Sequence, residues 1–327
     1  MGTFKTQSLV LCLTLAFFSA IDSSASTGAP TPPSQPTSGP GGTDYNHGAV
    51  IEHSYDVGDK QYWLFEPNNP KPESAPVVVF NHGWGGMTPD AYRAWINHLV
   101  RRGNIVIYPR YQASFCSPTY SVTPNSIAAI RAAFFRLQTE PGHTRPLLDK
   151  VAAVGHSAGG QITANFAANA RREGLPQPKA IMCAEPGKSY GRLTRVGIQL
   201  YDLSAIPSDT LLLTVVRDAD KIVRDVDAKR IFRESTNVPL ANKNYVVLVS
   251  DDHGVPKLRA DHFAPTALHT VDALDFYGTW KLFDALCDAA FYNRNRDIAL
   301  GATPQQKLMG YWSDGTPVKP MIVTDQP

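Results

Sequence analysis

The stretch that decides the fold is Lys150-Val151-Ala152-Ala153-Val154-Gly155-His156-Ser157-Ala158-Gly159-Gly160-Gln161. Val151 to Val154 is a short apolar run of strand character, it enters a glycine-rich turn directly, and Gln161 to Arg172 then reads as a helix. Strand, sharp turn and helix in that order form the context of a nucleophile elbow, which makes Ser157 the candidate nucleophile. Such a turn strains its serine and brings backbone close on both sides, so Gly155 and Gly159 stand where a Cβ would clash. A glycine-rich turn with an ordinary serine is the plain alternative, and the placement between strand and helix argues against it.

Working outward, short apolar runs alternate with helical patterns. Strands are predicted at Gln61 to Phe65, Pro76 to Phe80, Asn104 to Tyr108, Lys150 to Val154, Ala180 to Cys183, Thr210 to Val216 and Tyr245 to Val249. Thr88 and Pro89 open a helix with the apolar stripe Tyr92, Trp95, Ile96 and Leu99, and Gly103 stops it. Further helices are predicted from Asn125 to Gln138 and from Val271 to Asn293, the latter with Phe276, Trp280, Phe283 and Cys287 at helical spacing. This alternation predicts an α/β protein, a three-layer sandwich around a mostly parallel central sheet.

A serine hydroxyl needs a neighbouring base, itself oriented by a carboxylate. Leu211 to Val216 runs into Arg217-Asp218-Ala219-Asp220, which puts carboxylates at a strand mouth. Asp220 is the expected acid, Asp218 the alternative, and Glu185, at the end of the preceding strand, a third candidate. For the base, the strand at Tyr245 leads to His253, four residues past its end, whereas His262 comes nine residues later; spacing alone favours His253. Two backbone N–H groups should face the developing oxyanion. Ala158, next to the nucleophile, supplies one, and Trp84, in the loop Asn81-His82-Gly83-Trp84-Gly85-Gly86, the other; its indole either lines the acyl pocket or packs under the loop. His82 and His156 are read as loop-locking residues, and His47, His53, His98, His143 and His269 show no partner pattern.

Composition bounds the rest. The 327 residues are 43% hydrophobic and 18% charged, enough for a large core. Thirty-one basic against 29 acidic residues leave a charge of +2, which offers no footprint for nucleic acid. Residues 1–26 read as an export signal: Lys5, an apolar run from Ser8 to Ile21 too short to span a bilayer, and small residues at Ser24-Ala25-Ser26. An uncleaved anchor is the alternative; secretion, extracellular or periplasmic, without stable membrane insertion is the expectation. Residues 27–43 carry five prolines among Gly, Ser and Thr and are predicted to be a disordered tether, with a single catalytic domain at 44–327. Cys12 leaves with the signal; Cys116, Cys183 and Cys287 allow at most one disulfide, and no spacing suggests a metal site. No sequon Asn-x-Ser/Thr occurs.

From about Pro76 to Ala289 the chain resembles the α/β-hydrolases, and within them the bacterial cutinases, polyester hydrolases and dienelactone-hydrolase-like esterases. The resemblance rests on Gly83-Trp84, on Gly155-His156-Ser157-Ala158-Gly159-Gly160, on Asp218-Ala219-Asp220-Lys221-Ile222, and on His262-Phe263-Ala264-Pro265 followed by Tyr277 and Trp280-Lys281. His-Phe-Ala-Pro is the catalytic-histidine motif of those cutinases, so the resemblance moves the base from His253 to His262 and makes Gly254 to Asp261 an insertion. The family's tryptophan beside the cleft is missing from Ala184-Glu185-Pro186-Gly187, and residues 187–205, with Tyr190 and Tyr201, are longer than the family's loop. Together these readings predict a secreted, monomeric serine esterase acting on small-molecule or polymeric esters through Ser157, His262 and Asp220, with no cofactor. A serine peptidase, an acyltransferase or an inactive binding module of the same fold are the rival readings.

Overall fold

The structure, a computed structural model, describes residues 1–2, 28–189 and 197–327. The expected export signal, Cys12 and Tyr190 lie outside the described residues. Among the described residues nine strands form one sheet: β1 (Ala49–Tyr55), β2 (Tyr62–Asn68), β3 (Ser74–Asn81), β4 (Ile105–Pro109), β5 (Arg145–His156), β6 (Ala180–Ala184), β7 (Leu211–Arg217), β8 (Lys243–Leu248) and β9 (Ile322–Thr324). Their spatial order is β1-β2-β4-β3-β5-β6-β7-β8-β9. From β4 to β8 all neighbours are parallel, while β1, β2 and β9 pair antiparallel at the two margins.

The apolar runs that looked featureless as sequence carry the two-residue period of a strand once both sheet faces are buried. Val78 and Phe80 of β3 point into one core with Val106, Val154, Met182 and Leu213. Val77 and Val79 point into the other with Ile105, Val151, Ile181 and Leu212. The first core is covered by α1 (Arg93–Arg101) and α5 (Lys281–Tyr292), the second by α2 (Thr119–Thr139), α3 (Ala158–Asn169) and residues of α4 (Val226–Glu234). The predicted three layers are therefore present.

Three expectations change. The helix predicted at 125–138 starts at Thr119, with Pro124 inside it, because Val122 and Thr123 are buried. The long C-terminal helix opens as a π-helix over Leu274–Trp280 before continuing as α5, and Asn293 ends it at φ +54°. The predicted tether is the clearest correction: residues 28–46 lie against the body. Gly41 N–H donates to Asp284 Oδ2 at 2.8 Å, Thr31 N–H to Ser313 Oγ at 3.0 Å, and Val255 N–H to the Pro30 carbonyl at 2.8 Å. The segment contributes backbone groups to all three bonds, and composition does not register them. Cys116, Cys183 and Cys287 are free thiols.

Candidate active site

β5 ends at His156, and Ser157 follows at φ +54°, ψ −122°, the left-handed region that costs a residue with a Cβ. Backbone bonds hold it there: Ser157 N–H donates to the Ala184 carbonyl at 2.9 Å, and the Ser157 carbonyl accepts from Gly160 and Gly187 at 2.9 Å each. A Cβ on Gly155 would meet the Gly159 carbonyl, and one on Gly159 would run into the Asn81 carbonyl, so both glycines are required by close approach. The serine is 9% exposed, at the rim of the protein interior.

Three distant segments meet at its hydroxyl. His262 Nε2 lies 3.1 Å from Ser157 Oγ, and His262 Nδ1 lies 2.8 Å from Asp220 Oδ2. An ionised carboxylate only accepts, which assigns the imidazole proton to Nδ1 and leaves Nε2 to accept from the serine. Asp220 stands in the turn after β7, and its second oxygen accepts from the amides of Ile222 at 2.7 Å and Val223 at 3.1 Å. Burial works to raise this carboxyl, but the bond from His262 and the two amide bonds outweigh it and hold the group below its ordinary range.

Two backbone amides are the candidate oxyanion donors. Among the described residues neither Ala158 N–H, at the start of α3, nor Trp84 N–H donates to another group. A Cβ on Gly187 would stand 2.7 Å from Gln161 Oε1 and 3.4 Å from the Ala158 nitrogen. The Trp84 indole donates to the Phe115 carbonyl at 3.2 Å and packs against the cluster of Tyr111, Ala158 and Ile198, so it serves as a wall beside the nucleophile's neighbour.

The alternatives lie elsewhere. The preference for His253 from spacing is corrected: its Nε2 is paired with Asp314 at 2.8 Å on an exposed loop, and its ring leans on Trp312. After β8 the chain turns back through an Asp251–Leu258 bridge, and the Ala260 carbonyl accepts from Ala219 N–H at 3.0 Å, which carries His262, not His253, to the mouth of β7. Asp218 is consumed by Ser250, whose hydroxyl and amide donate to it at 2.6 and 3.0 Å. Glu185, at φ +40°, is buried against the Arg217 guanidinium, and burial raises it to about 7 despite that partner.

The other histidines find partners that no local pattern announces: His98 with Asp284 at 2.8 Å, His143 with Glu66 at 2.6 Å, His47 with the Pro70 carbonyl and His269 with Asp261 at 3.3 Å. His82 stacks on Tyr111 with centroids 3.9 Å apart. Among the described residues no group of three or more His, Cys, Asp or Glu could hold a metal ion. The residue that sequence reasoning passed over is Tyr92, read only as part of an apolar stripe; its hydroxyl sits among Gly83 and His156.

Residues 78–229 match a family model described as alpha/beta hydrolase fold. The match runs from β3 into α4, includes Ser157 and Asp220, and ends before His262. None of the curated proteins matches the chain. The chain has the α/β-hydrolase fold, and hydrolysis is the reaction class the match supports. No helix among the described residues is long and apolar enough to cross a membrane.

Proposed function

We propose that this chain is a secreted serine esterase that cleaves carboxylic esters, of small molecules or of polymers, through an acyl-enzyme. The observation that carries the reading is the hydrogen-bonded line Ser157 Oγ, His262, Asp220 at 3.1 and 2.8 Å, beside two amides that have no acceptor among the described residues. Ser157 attacks the ester carbonyl as His262 Nε2 takes its proton, and Asp220 stabilises the imidazolium that results. The oxyanion accepts from Trp84 and Ala158 N–H. His262 returns the proton to the departing alcohol, and a water activated by the same imidazole releases the acid and restores the serine. Cutinase-like specificity rests on the His262-Phe263-Ala264-Pro265 resemblance; against it stands Ala184-Glu185-Pro186, which places no aromatic ring beside the elbow.

Hydrolysis of p-nitrophenyl acetate and butyrate tests the reading, with covalent labelling of Ser157 by a fluorophosphonate. Ser157→Ala is expected to lower kcat by about 10⁶-fold. Substantial turnover in that variant would overturn the assignment, label without hydrolysis would favour an acyltransferase or peptidase, and neither would favour a binding module.

A further inference from the structure

We propose that Tyr92 is a positioning residue that holds the oxyanion loop and the base loop in register through one buried chain of hydrogen bonds, an inference that rests on the esterase reading above. Tyr92 lies at the end of the 3₁₀ turn Pro89–Tyr92 that leads into α1, and it is 3% exposed. Its oxygen accepts from Gly83 N–H at 2.9 Å and lies 2.7 Å from His156 Nδ1, while His156 Nε2 lies 2.8 Å from the His262 carbonyl.

The proton positions follow from the partners. A carbonyl only accepts, so Nε2 of His156 carries a proton and donates it to His262. Burial, aided by the Arg217 guanidinium, keeps His156 neutral, so its Nδ1 is a bare acceptor. The phenol, held protonated by burial, is then the donor to Nδ1. Read from end to end, the chain links Gly83, which precedes the oxyanion donor Trp84, through Tyr92 to His156, which precedes the nucleophile, and on to the backbone of the base. The oxyanion loop and the base loop are thus each tied by one bond to the pair Tyr92 and His156, and His156 itself leads into the nucleophile's turn.

A separate observation points the same way. A Cβ built on Gly83 would stand 2.9 Å from the Tyr92 oxygen, 3.2 Å from His156 Nδ1 and 3.3 Å from Ser157 Cβ. A glycine at 83 is what leaves room for this chain at the point where it passes the nucleophile. The Tyr92 ring also packs on Phe80, with centroids 5.1 Å apart, so removal of the hydroxyl alone leaves the packing in place.

Tyr92→Phe is therefore the test, assayed on p-nitrophenyl butyrate beside the wild type and Ser157→Ala. Misplacement of catalytic groups by a fraction of an ångström acts on the transition state more than on substrate binding. The expected result is a kcat lower by about 10- to 100-fold with KM within about twofold, and a Tyr92→Phe/His156→Phe double variant no worse than the poorer single variant. Nitrogen-15 spectra of the histidines should put the His156 proton on Nε2 in the wild type. A proton on Nδ1 overturns the proposal even if no variant folds. A kcat within twofold in Tyr92→Phe, with Ser157→Ala inactive, overturns it while the esterase reading survives. A wild type that hydrolyses no ester overturns both.

Discussion

Ser157 is held in a left-handed backbone conformation by three backbone hydrogen bonds, and the two glycines that flank its turn are there because other backbone occupies the space of a Cβ. All of this is local, so the sequence motif reports it well. The carboxylate pair after β7 was legible for the same reason, and what separates Asp220 from Asp218 is the structure's own bonds, to the amides of Ile222 and Val223 for the one and to Ser250 for the other. His262 was not legible from spacing, because its place depends on the return of the chain after β8 and on the pairing of Ala260 with Ala219. Tyr92 was opaque because its partners lie nine and 64 residues away. The assignments separate sharply by substitution. Asp220→Asn is expected to lower kcat by about 10⁴-fold through the wrong imidazole tautomer. Asp218→Asn and His253→Ala, whose partners are Ser250 and Asp314, should each leave kcat within about threefold. A His253→Ala enzyme as impaired as Asp220→Asn would return the base to residue 253.

Elements were legible where burial gives them a strong pattern. β1 was missed because none of its residues is buried, so an edge strand presents no apolar face to read. β9 has three residues and the same difficulty. The π-helix over Leu274–Trp280 shares its stripe with an α-helix, yet its wider turn buries Asp275 beside Asp272, whose amide donates to it at 3.0 Å. Burial raises the Asp275 carboxyl to about 7 from an ordinary value of 3.8. A carboxyl whose folded value is raised keeps in the fold a proton that the unfolded chain has already lost between those two values. Stability should therefore fall as pH rises from about 4 to about 7 and level off above, by at most about 4 kcal/mol from this group. Urea unfolding at pH 4.5 and 7.5 measures it. Asp275→Asn should lose less stability across that interval than the wild type, and equal losses in the two proteins would assign the slope to other groups.

At the scale of the whole molecule, the N-terminal segment alters how the two ends of the chain contribute. Five prolines among Gly, Ser and Thr suggested a chain too polar to order, but proline also lowers the entropy that ordering removes. The segment is ordered by bonds from its own backbone and by a buried cluster at its end. Tyr45 Oη lies 3.1 Å from His98 Nδ1, His98 Nε2 lies 2.8 Å from Asp284, Arg102 reaches the same carboxylate at 3.2 Å, and Gly41 N–H completes it at 2.8 Å. Burial opposes the charge on Asp284, and His98, Arg102 and the Gly41 amide more than offset this, holding it below its ordinary range. Gly41, at φ +79°, fits because a Cβ there would collide with the Phe276 carbonyl. Deletion of residues 28–43 removes one bond to this buried carboxylate and leaves the others, along with Tyr45, in place. Loss of a hydrogen bond to a buried charge, together with the contacts to Ser313 and Val255, should cost about 2 to 4 kcal/mol of unfolding free energy. None of the bonds lost involves Ser157, His262, Asp220 or the oxyanion amides, so kcat per folded molecule, measured well below the unfolding transition, should stay within about threefold. A deletion variant as stable as the parent would show that residues 28–43 ride on the surface without supporting it, whereas an unchanged fold with lost turnover would tie the segment to the base loop through Val255.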